Sequence, residues 1–374
     1  MKINTITSHK AYNYGATLQT YALQTYLESM GHQVEIIDYC PKYRSKRNFW
    51  IIPQNTKIAK YAQKYFILHL LYAIHRAKKY LINTNFERKK KFDEFDRRYL
   101  HITSQKYTSF QQLKVNPPIA DCYIAGSDQI WNSNGDTGRD PVFYLNFGDS
   151  TIRRISYAAS FGISEIEESF KPQLKKYLSV FDAISVREKT GLFILSEIGY
   201  VKAIQVCDPV FLLSKERWLK IASPSLVGND YILVYDFFQD DDNIKAMAQK
   251  FAKEKNYKIV SVNDGGKCRY ADINISDASP NDFVSLIANA NIVVSNSFHA
   301  TAFSLILNRN FYTYPAVRNN NHSRMIDLLD SVDLRNRFNS QISASTIEID
   351  WNKVNELIKT RVEYSKDFLS KIQV

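Results

Sequence analysis

The residues best suited to chemistry lie in one stretch, Ile292-Val-Val-Ser-Asn-Ser-Phe-His-Ala-Thr-Ala-Phe-Ser-Leu-Ile-Leu307. Ile292 to Val294 is an apolar run too short for a helix and suited to a buried strand. Ser295, Asn296 and Ser297 follow, residue types whose side chains cap the free N–H groups at a helix start. Ala300 to Leu307 reads as a buried helix, which puts His299 in its first turn, just past the carboxyl end of a strand. Open α/β sheets bind ligands at such corners. A helix start also favours a phosphate or carboxylate through unpaired N–H groups and partial positive charge. A single histidine would read as a helix-start residue bonded to a neighbouring carbonyl. The polar cluster around His299 makes it a site candidate instead.

Other candidates sit at similar corners. Arg187 and Glu188 end the strand Ala183 to Val186; the arginine suits a phosphate or carboxylate clamp, or else forms a surface pair with Glu188. Asp128, in Ile124-Ala-Gly-Ser-Asp-Gln-Ile-Trp-Asn132, could hold a sugar hydroxyl, act as a base, or with Ser127 cap a helix. Asn13 and Gly15 stand in a loop, Ala11-Tyr-Asn-Tyr-Gly-Ala-Thr17, that is no GxGxxG fingerprint but could turn amides toward a ligand. Asp208 occupies a further corner, equally suited to structure or function. Arg318, His322 and Arg324 belong to a polar loop within reach of His299.

The elements that must position these residues alternate. A strand at 2–7, a helix from Leu18 to Met30 and a strand from Val34 to Tyr39 make a βαβ unit. Strand Ile155 to Phe161 and helix Phe170 to Phe181 continue it. A boundary is expected at Ser223 to Asn229, where composition turns loop-like. A second series follows: strand Tyr231 to Tyr235, helix Asp242 to Glu254, strand Lys258 to Val262, helix Pro280 to Asn289, strand Phe311 to Tyr314 and helix Met325 to Ser331. The expected fold is α/β: two Rossmann-like doubly wound domains facing across a cleft, residues 1–228 and 229–350, with a last helix within 351–374.

The 374 residues, 45% hydrophobic and 13% aromatic, exclude a disordered chain and suit two cores. The net charge of +11 is concentrated. Residues 42–98 hold 16 Lys/Arg against 4 Asp/Glu, leaving 33 against 34 in the rest. A neutral body argues against a nucleic-acid partner. The basic segment, about 42–100, reads as a helical insertion, with helices at Ile58 to Leu81 and Phe86 to Leu100. It either meets anionic lipid or a lipid-linked glycan, or has one buried and one solvated face. Four cysteines without a CxxC pair make zinc or a disulfide framework unexpected. With no signal-peptide pattern and no long apolar run, the expected location is cytoplasmic, peripheral at the inner membrane face through 42–98.

Taken together, the chain resembles the polysaccharide pyruvyl transferase family. The match rests on Asn13-Tyr-Gly-Ala, Ile124-Ala-Gly-Ser-Asp-Gln-Ile-Trp-Asn, Ser156-Tyr-Ala-Ala-Ser-Phe-Gly, Ile184-Ser-Val-Arg-Glu, Cys207-Asp-Pro-Val and Ser295-Asn-Ser-Phe-His-Ala, in that order. The resemblance implies a GT-B-like fold and transfer of pyruvate from phosphoenolpyruvate to sugar hydroxyls, usually as a ketal, on bacterial cell-surface glycans or their lipid-linked precursors. His299 then matches the family's histidine as general acid/base, and Arg187 its arginine for the donor's anionic groups. Ser297 with Arg318 or Arg324 would complete the donor site, and Asn13 and Asp128 the acceptor side. No cofactor is expected, and no carboxylate cluster calls for a metal. The competing readings are a GT-B glycosyltransferase using a nucleotide-sugar and a non-catalytic glycan-binding relative.

Overall fold

The computed structural model describes residues 1–44, 66–83, 85–237, 241–263, 266–316, 322–340 and 348–371. The strands are β1 Lys2–Ile6, β2 Gln33–Tyr39, β3 Ile102–Tyr107, β4 Cys122–Ala125, β5 Arg153–Ala159, β6 Ala183–Val186 and β7 Ile204–Gln205, then β8 Tyr231–Tyr235, β9 Lys258–Val262, β10 Ile273–Ile275, β11 Ile292–Ser295 and β12 Asn310–Thr313. The helices are α1 Tyr14–Ser29, α2 Phe66–Asn83, α3 Phe86–Tyr99, α4 Phe110–Val115, α5 Lys171–Leu178, α6 Lys189–Glu197, α7 Lys215–Ile221, α8 Asp242–Lys255, α9 Pro280–Asn289, α10 Phe298–Ile306, α11 Ser323–Asp330 and α12 Trp351–Ser370.

Among the described residues these strands form two sheets, ordered β3-β2-β1-β4-β5-β6-β7 and β10-β9-β8-β11-β12, parallel throughout. The central strands are buried on both faces, as parallel sheets covered by helices require, so β4 and β8 read as unbroken apolar runs and β11 as one up to Ser295. Strand order reverses between β1 and β4 in the first sheet, and between β8 and β11 in the second. Register sets the exits: Ile6 lies opposite Ala125, and Ser295 opposite Tyr235. The loops after these four strands therefore leave the two switch points in adjacent pairs.

Helix α1 starts at Tyr14, four residues earlier than the apolar periodicity suggests, because Asn13 caps it by accepting from Ala16 N at 3.2 Å. It ends before Gly31, whose φ of 88° only glycine adopts freely. Tyr14 joins the two units: its ring stacks on Phe283 of α9 at 4.4 Å, and its hydroxyl donates to Ala278 O at 3.1 Å. Such a stack contributes about 0.5–1.5 kcal/mol beyond the area it buries.

The basic segment behaves in two ways. Helix α3 is structural: Phe92 and Phe95 are core residues packed on Tyr14 and Tyr21, and buried Arg88 donates to Tyr12 O at 2.8 Å. Lys91 reaches Asp277 of the second unit at 2.6 Å. Helix α2 instead exposes Phe66, Ile67, Leu71 and Ile74. The expected start of that helix, 58–65, lies outside the described residues. Helix α12 returns to the first unit, where Ser365 Oγ accepts from Cys207 N at 2.9 Å.

Candidate active site

The loops leaving both switch points line one cleft of about 660 Å³. Asn13 follows β1, Asp128 follows β4, Phe237 follows β8, and Ser297 and His299 follow β11. Arg324 of α11 closes the same cleft. Of the residues singled out in the sequence, His299, Ser297, Asn13, Asp128 and Arg324 are thus brought together. Arg187 does not line this cleft, and Arg318 lies outside the described residues.

His299 is placed by a tightly bonded corner. Ser295 Oγ donates to Tyr235 O at 2.6 Å and accepts from Ser297 N at 2.9 Å, while Ser297 Oγ caps α10 by accepting from Ala300 N at 3.4 Å. The N–H groups of Phe298 and His299, in the first turn, have no carbonyl of their own helix to meet. The imidazole lies against the first turn of α1. A Cβ at Gly15 would stand 1.9 Å from His299 Nδ1, so nothing larger than hydrogen fits there. The starts of α1 and α10, one from each unit, meet at this ring.

Behind His299 lies Asp208, 1% exposed. Its Oδ1 caps the turn Pro209–Leu212 by accepting from Val210 N at 3.1 Å. Its Oδ2 accepts from Arg187 Nη1 at 2.6 Å and Ser127 Oγ at 3.3 Å, and lies 3.4 Å from His299 Nε2. With Nε2 turned toward this carboxylate, Nδ1 is the ring nitrogen left for a substrate. Burial alone would raise the Asp208 carboxyl, but the charges of His299 and Arg187 outweigh it and hold the group well below the ordinary carboxylate range. Burial works against the Arg187 charge too, and Asp208, Glu188 and Asp128 reverse the effect and raise it.

Glu188 anchors the far end of this chain of charges. It is fully buried, and its Oε1 accepts from Phe161 N at 2.8 Å, Gly162 N at 3.1 Å and Ser160 Oγ at 3.1 Å. The expectation of a surface Arg187–Glu188 pair is therefore corrected: Arg187 is 3% exposed, and both residues face inward because β6 ends inside the molecule. A second correction concerns Ser127 and Asp128, which cap no helix. Asp128 adopts φ 76°, and its carbonyl accepts from Ile130 N at 2.8 Å and Ser160 N at 3.1 Å.

Among the described residues, Arg324 is the arginine that lines the cleft. The Gln129 amide oxygen, in the orientation the network requires, accepts from its Nη2 at 2.6 Å and Nη1 at 3.0 Å. No carboxylate among the described residues pairs with it. Burial and then the like charge of Arg187 bring it down to about 10, partly offset by Glu188 and Asp128. It remains charged near neutrality and has no paired carboxylate among the described residues, which suits an anionic ligand. The adjoining helix is fixed to the first unit, since Lys189 N donates to Asp327 Oδ2 at 2.6 Å.

The loop role expected of Gly15 is also corrected, since it lies inside α1 against His299, and the part Asp208 and Glu188 play around Arg187 was not foreseen. The signal for Asp208 was its place after a strand in Cys207-Asp-Pro-Val210.

Two parallel α/β sheets whose switch points share a cleft define a two-domain protein of GT-B-like architecture. The solved structures it resembles include UDP-GlcNAc 2-epimerase from Neisseria meningitidis bound to UDP-GlcNAc, at 12% identity and TM-score 0.47, covering 98% of this chain and 93% of that one. The Methanocaldococcus jannaschii UDP-GlcNAc 2-epimerase in complex with UDP-GlcNAc and UDP is similar at 11% identity and TM-score 0.48, over 97% and 93%. MurG of Acinetobacter baumannii is similar at 9% identity and TM-score 0.39, over 100% and 98%. No curated protein matches the sequence. The profile of the polysaccharide pyruvyl transferase family matches residues 13–315, and the chain belongs to that family.

Proposed function

We propose that the protein transfers the pyruvyl group of phosphoenolpyruvate to two hydroxyls of a sugar, as a ketal, in the synthesis of a cell-surface polysaccharide. The observation that carries this reading is the placement of His299, backed by Asp208, beside the uncompensated Arg324 at the meeting of two helix starts. Such a cleft offers a proton shuttle and sites for two anionic groups, which is what phosphoenolpyruvate presents.

In this reaction the enol methylene gains a proton and C2 becomes electrophilic. One sugar hydroxyl then adds to C2, the C2–O bond to phosphate breaks, and a second hydroxyl closes the ketal. Of the two hydroxyl protons, one balances the new methyl group and the other leaves with phosphate. We assign His299 as the general acid/base, held by Asp208. Arg324 and the helix start at Ser297 take the donor's phosphate and carboxylate. Arg187, with Nη1 on Asp208, is a positioning residue. Asn13 and Asp128 face the acceptor.

A thermal-shift titration tests the donor. Phosphoenolpyruvate at 100 times its Kd should stabilise the fold by roughly 2.7 kcal/mol. Arg324→Ala should lose that shift. A shift with a nucleotide-sugar and none with phosphoenolpyruvate would replace this reading with glycosyl transfer.

We place the acceptor's lipid on the side of α2. That helix belongs to the segment carrying the whole basic excess and exposes Phe66, Ile67, Leu71 and Ile74; no described helix is long and apolar enough to cross a membrane. An apolar face next to basic charge suits the surface of an anionic bilayer. The protein should sediment with phosphatidylglycerol vesicles and not with phosphatidylcholine vesicles, and Ile67→Glu with Leu71→Glu should abolish this. Equal recovery with both lipids, or with neither, rules the contact out.

A further inference from the structure

Outside the cleft, three side chains of different chemistry converge where β1 and β2 end. His9 lies in the loop between β1 and α1, and Asp38 and Cys40 lie at the end of β2. His9 Nε2 is 3.4 Å from Asp38 Oδ1, and Cys40 Sγ is 3.3 Å from the same oxygen. One ligand atom from each residue falls within 4.8 Å of the others.

His9 poses an unsolved electrostatic problem. It is 1% exposed, and its Nδ1 lies 3.4 Å from Thr7 O, which can only accept. Nδ1 therefore carries a proton, and in a neutral ring Nε2 would point its lone pair at a carboxylate. That nitrogen is buried and makes no hydrogen bond. Two electron-pair donors facing each other in the interior need a positive charge between them, supplied by a proton, as at His299 and Asp208, or by a metal ion. The Cys40 thiol donates to the same carboxylate oxygen at 3.3 Å, and once deprotonated it offers a third ligand atom. The carboxylate stands between thiol and imidazole, so the arrangement is not that of a cysteine nucleophile activated by histidine.

We infer that His9 Nε2, Asp38 and the Cys40 thiolate bind a divalent transition metal of the zinc class, with a fourth position open to water. Zinc bond lengths of about 2.0–2.1 Å to nitrogen, 2.0–2.2 Å to oxygen and 2.3 Å to sulfur give tetrahedral edges of about 3.3 Å for N···O and about 3.5 Å for O···S. The two edges to Asp38, 3.4 and 3.3 Å, match, and the His9–Cys40 edge, within 4.8 Å, would settle to about 3.5 Å on binding. Thiolate and imidazole select zinc, cobalt or similar ions over magnesium and calcium. The bond from Nδ1 to a backbone carbonyl is the outer contact that metal-bound histidines use to fix their tautomer. Burial and then the Asp38 charge push the Cys40 thiol up to about 11 against Lys106 and Lys10, so the ion must displace the thiol proton as it binds; Lys10 is itself held by Asp96 at 2.9 Å. The Asp38 side chain is 19% exposed, which leaves the ion a way in. Such an ion would pin the β1–α1 loop to β2, just ahead of Asn13 and Gly15. This inference does not depend on the reaction proposed above.

The test uses the full chain with any affinity tag removed, stripped by chelation, loaded with zinc or cobalt and desalted. One metal per chain is expected by elemental analysis. The cobalt form should show a thiolate charge-transfer band and the strong d–d bands of a tetrahedral site. Zinc should raise the Tm of the wild type. Cys40→Ser should weaken binding at least about tenfold and remove the charge-transfer band, while its metal-free Tm stays close to wild type. His9→Gln should also lose the metal; because His9 is buried, Cys40→Ser is the decisive variant should His9→Gln not fold. Failure of the wild type to retain metal, equal retention by Cys40→Ser, or a cobalt spectrum without the thiolate band would overturn the site. In each case a protonated His9 paired with Asp38 would be the remaining account.

Discussion

Asp208→Asn is expected to reduce phosphoenolpyruvate-dependent phosphate release by a factor on the order of 10³–10⁴, with a much smaller change in donor affinity. General acid/base groups contribute about 10²–10⁴, and a carboxylate that fixes a catalytic histidine's tautomer sits at the upper end. Asparagine keeps the shape of Asp208 but presents His299 Nε2 with an amide in place of a charge, 3.4 Å away. It also strips buried Arg187 of its 2.6 Å partner. Removing one member of a buried ion pair costs about 3–5 kcal/mol. The pH dependence has a definite sign. Asp208 is held below its unfolded value, so its contribution is full above the ordinary aspartate pKa of about 3.9 and fades as pH falls toward the lower folded value. Urea unfolding should therefore separate wild type from Asp208→Asn above about pH 5, and by less in stronger acid. A constant margin into strong acid would show that the carboxylate is not stabilised by these charges.

Gly15→Ala is expected to cost at least about 10² in rate while the protein stays folded. The added methyl would stand 1.9 Å from His299 Nδ1 and 2.4 Å from Cε1 and Cγ, so the ring must shift by more than an ångström. Misplacement on that scale costs about a hundredfold. Stability has opposing terms: overpacking costs about 1–3 kcal/mol, while alanine in place of glycine within a helix gains about 0.5–1 kcal/mol. His299→Ala removes the obstacle. In that background Gly15→Ala should become neutral or stabilising, a coupling readable by a double-mutant cycle. Independent stability effects would mean that the two residues are not in contact.

This pair also shows what the sequence could and could not reveal. Gly15 lies inside α1, so it is no turn glycine. Its reason is a neighbour 284 positions away, and nothing local announces it. Strands β8 and β9 were legible to the residue: buried on both faces, β8 is a continuous apolar run, and β9 is one interrupted by Ser261 and opened by exposed Lys258. β3 was not, since it is an edge strand with three exposed residues in its middle, Ser104 to Lys106. The corners were legible as well: Asn13, Asp128, Arg187, Asp208 and His299 each follow a strand as polar residues. Which corner residue faces which was not legible. Arg187 carries the right chemistry for an anion, yet the topology sets Asp208 beside it and turns it inward. Helix α3 misleads for a similar reason, because its basic composition hides Phe92 and Phe95, which bind it to the core.

The central claim is that this cleft moves a pyruvyl group and delivers a proton to its methylene carbon. The most direct measurement is a ¹³C NMR time course of phosphoenolpyruvate labelled at the methylene carbon, in D₂O, with the protein and a panel of saccharides and lipid-linked glycans. A new ketal methyl carbon bearing one deuterium is expected, formed in step with inorganic phosphate and absent with Asp208→Asn. Unchanged phosphoenolpyruvate, while a nucleotide-sugar in the same panel loses its sugar to an acceptor, would contradict it.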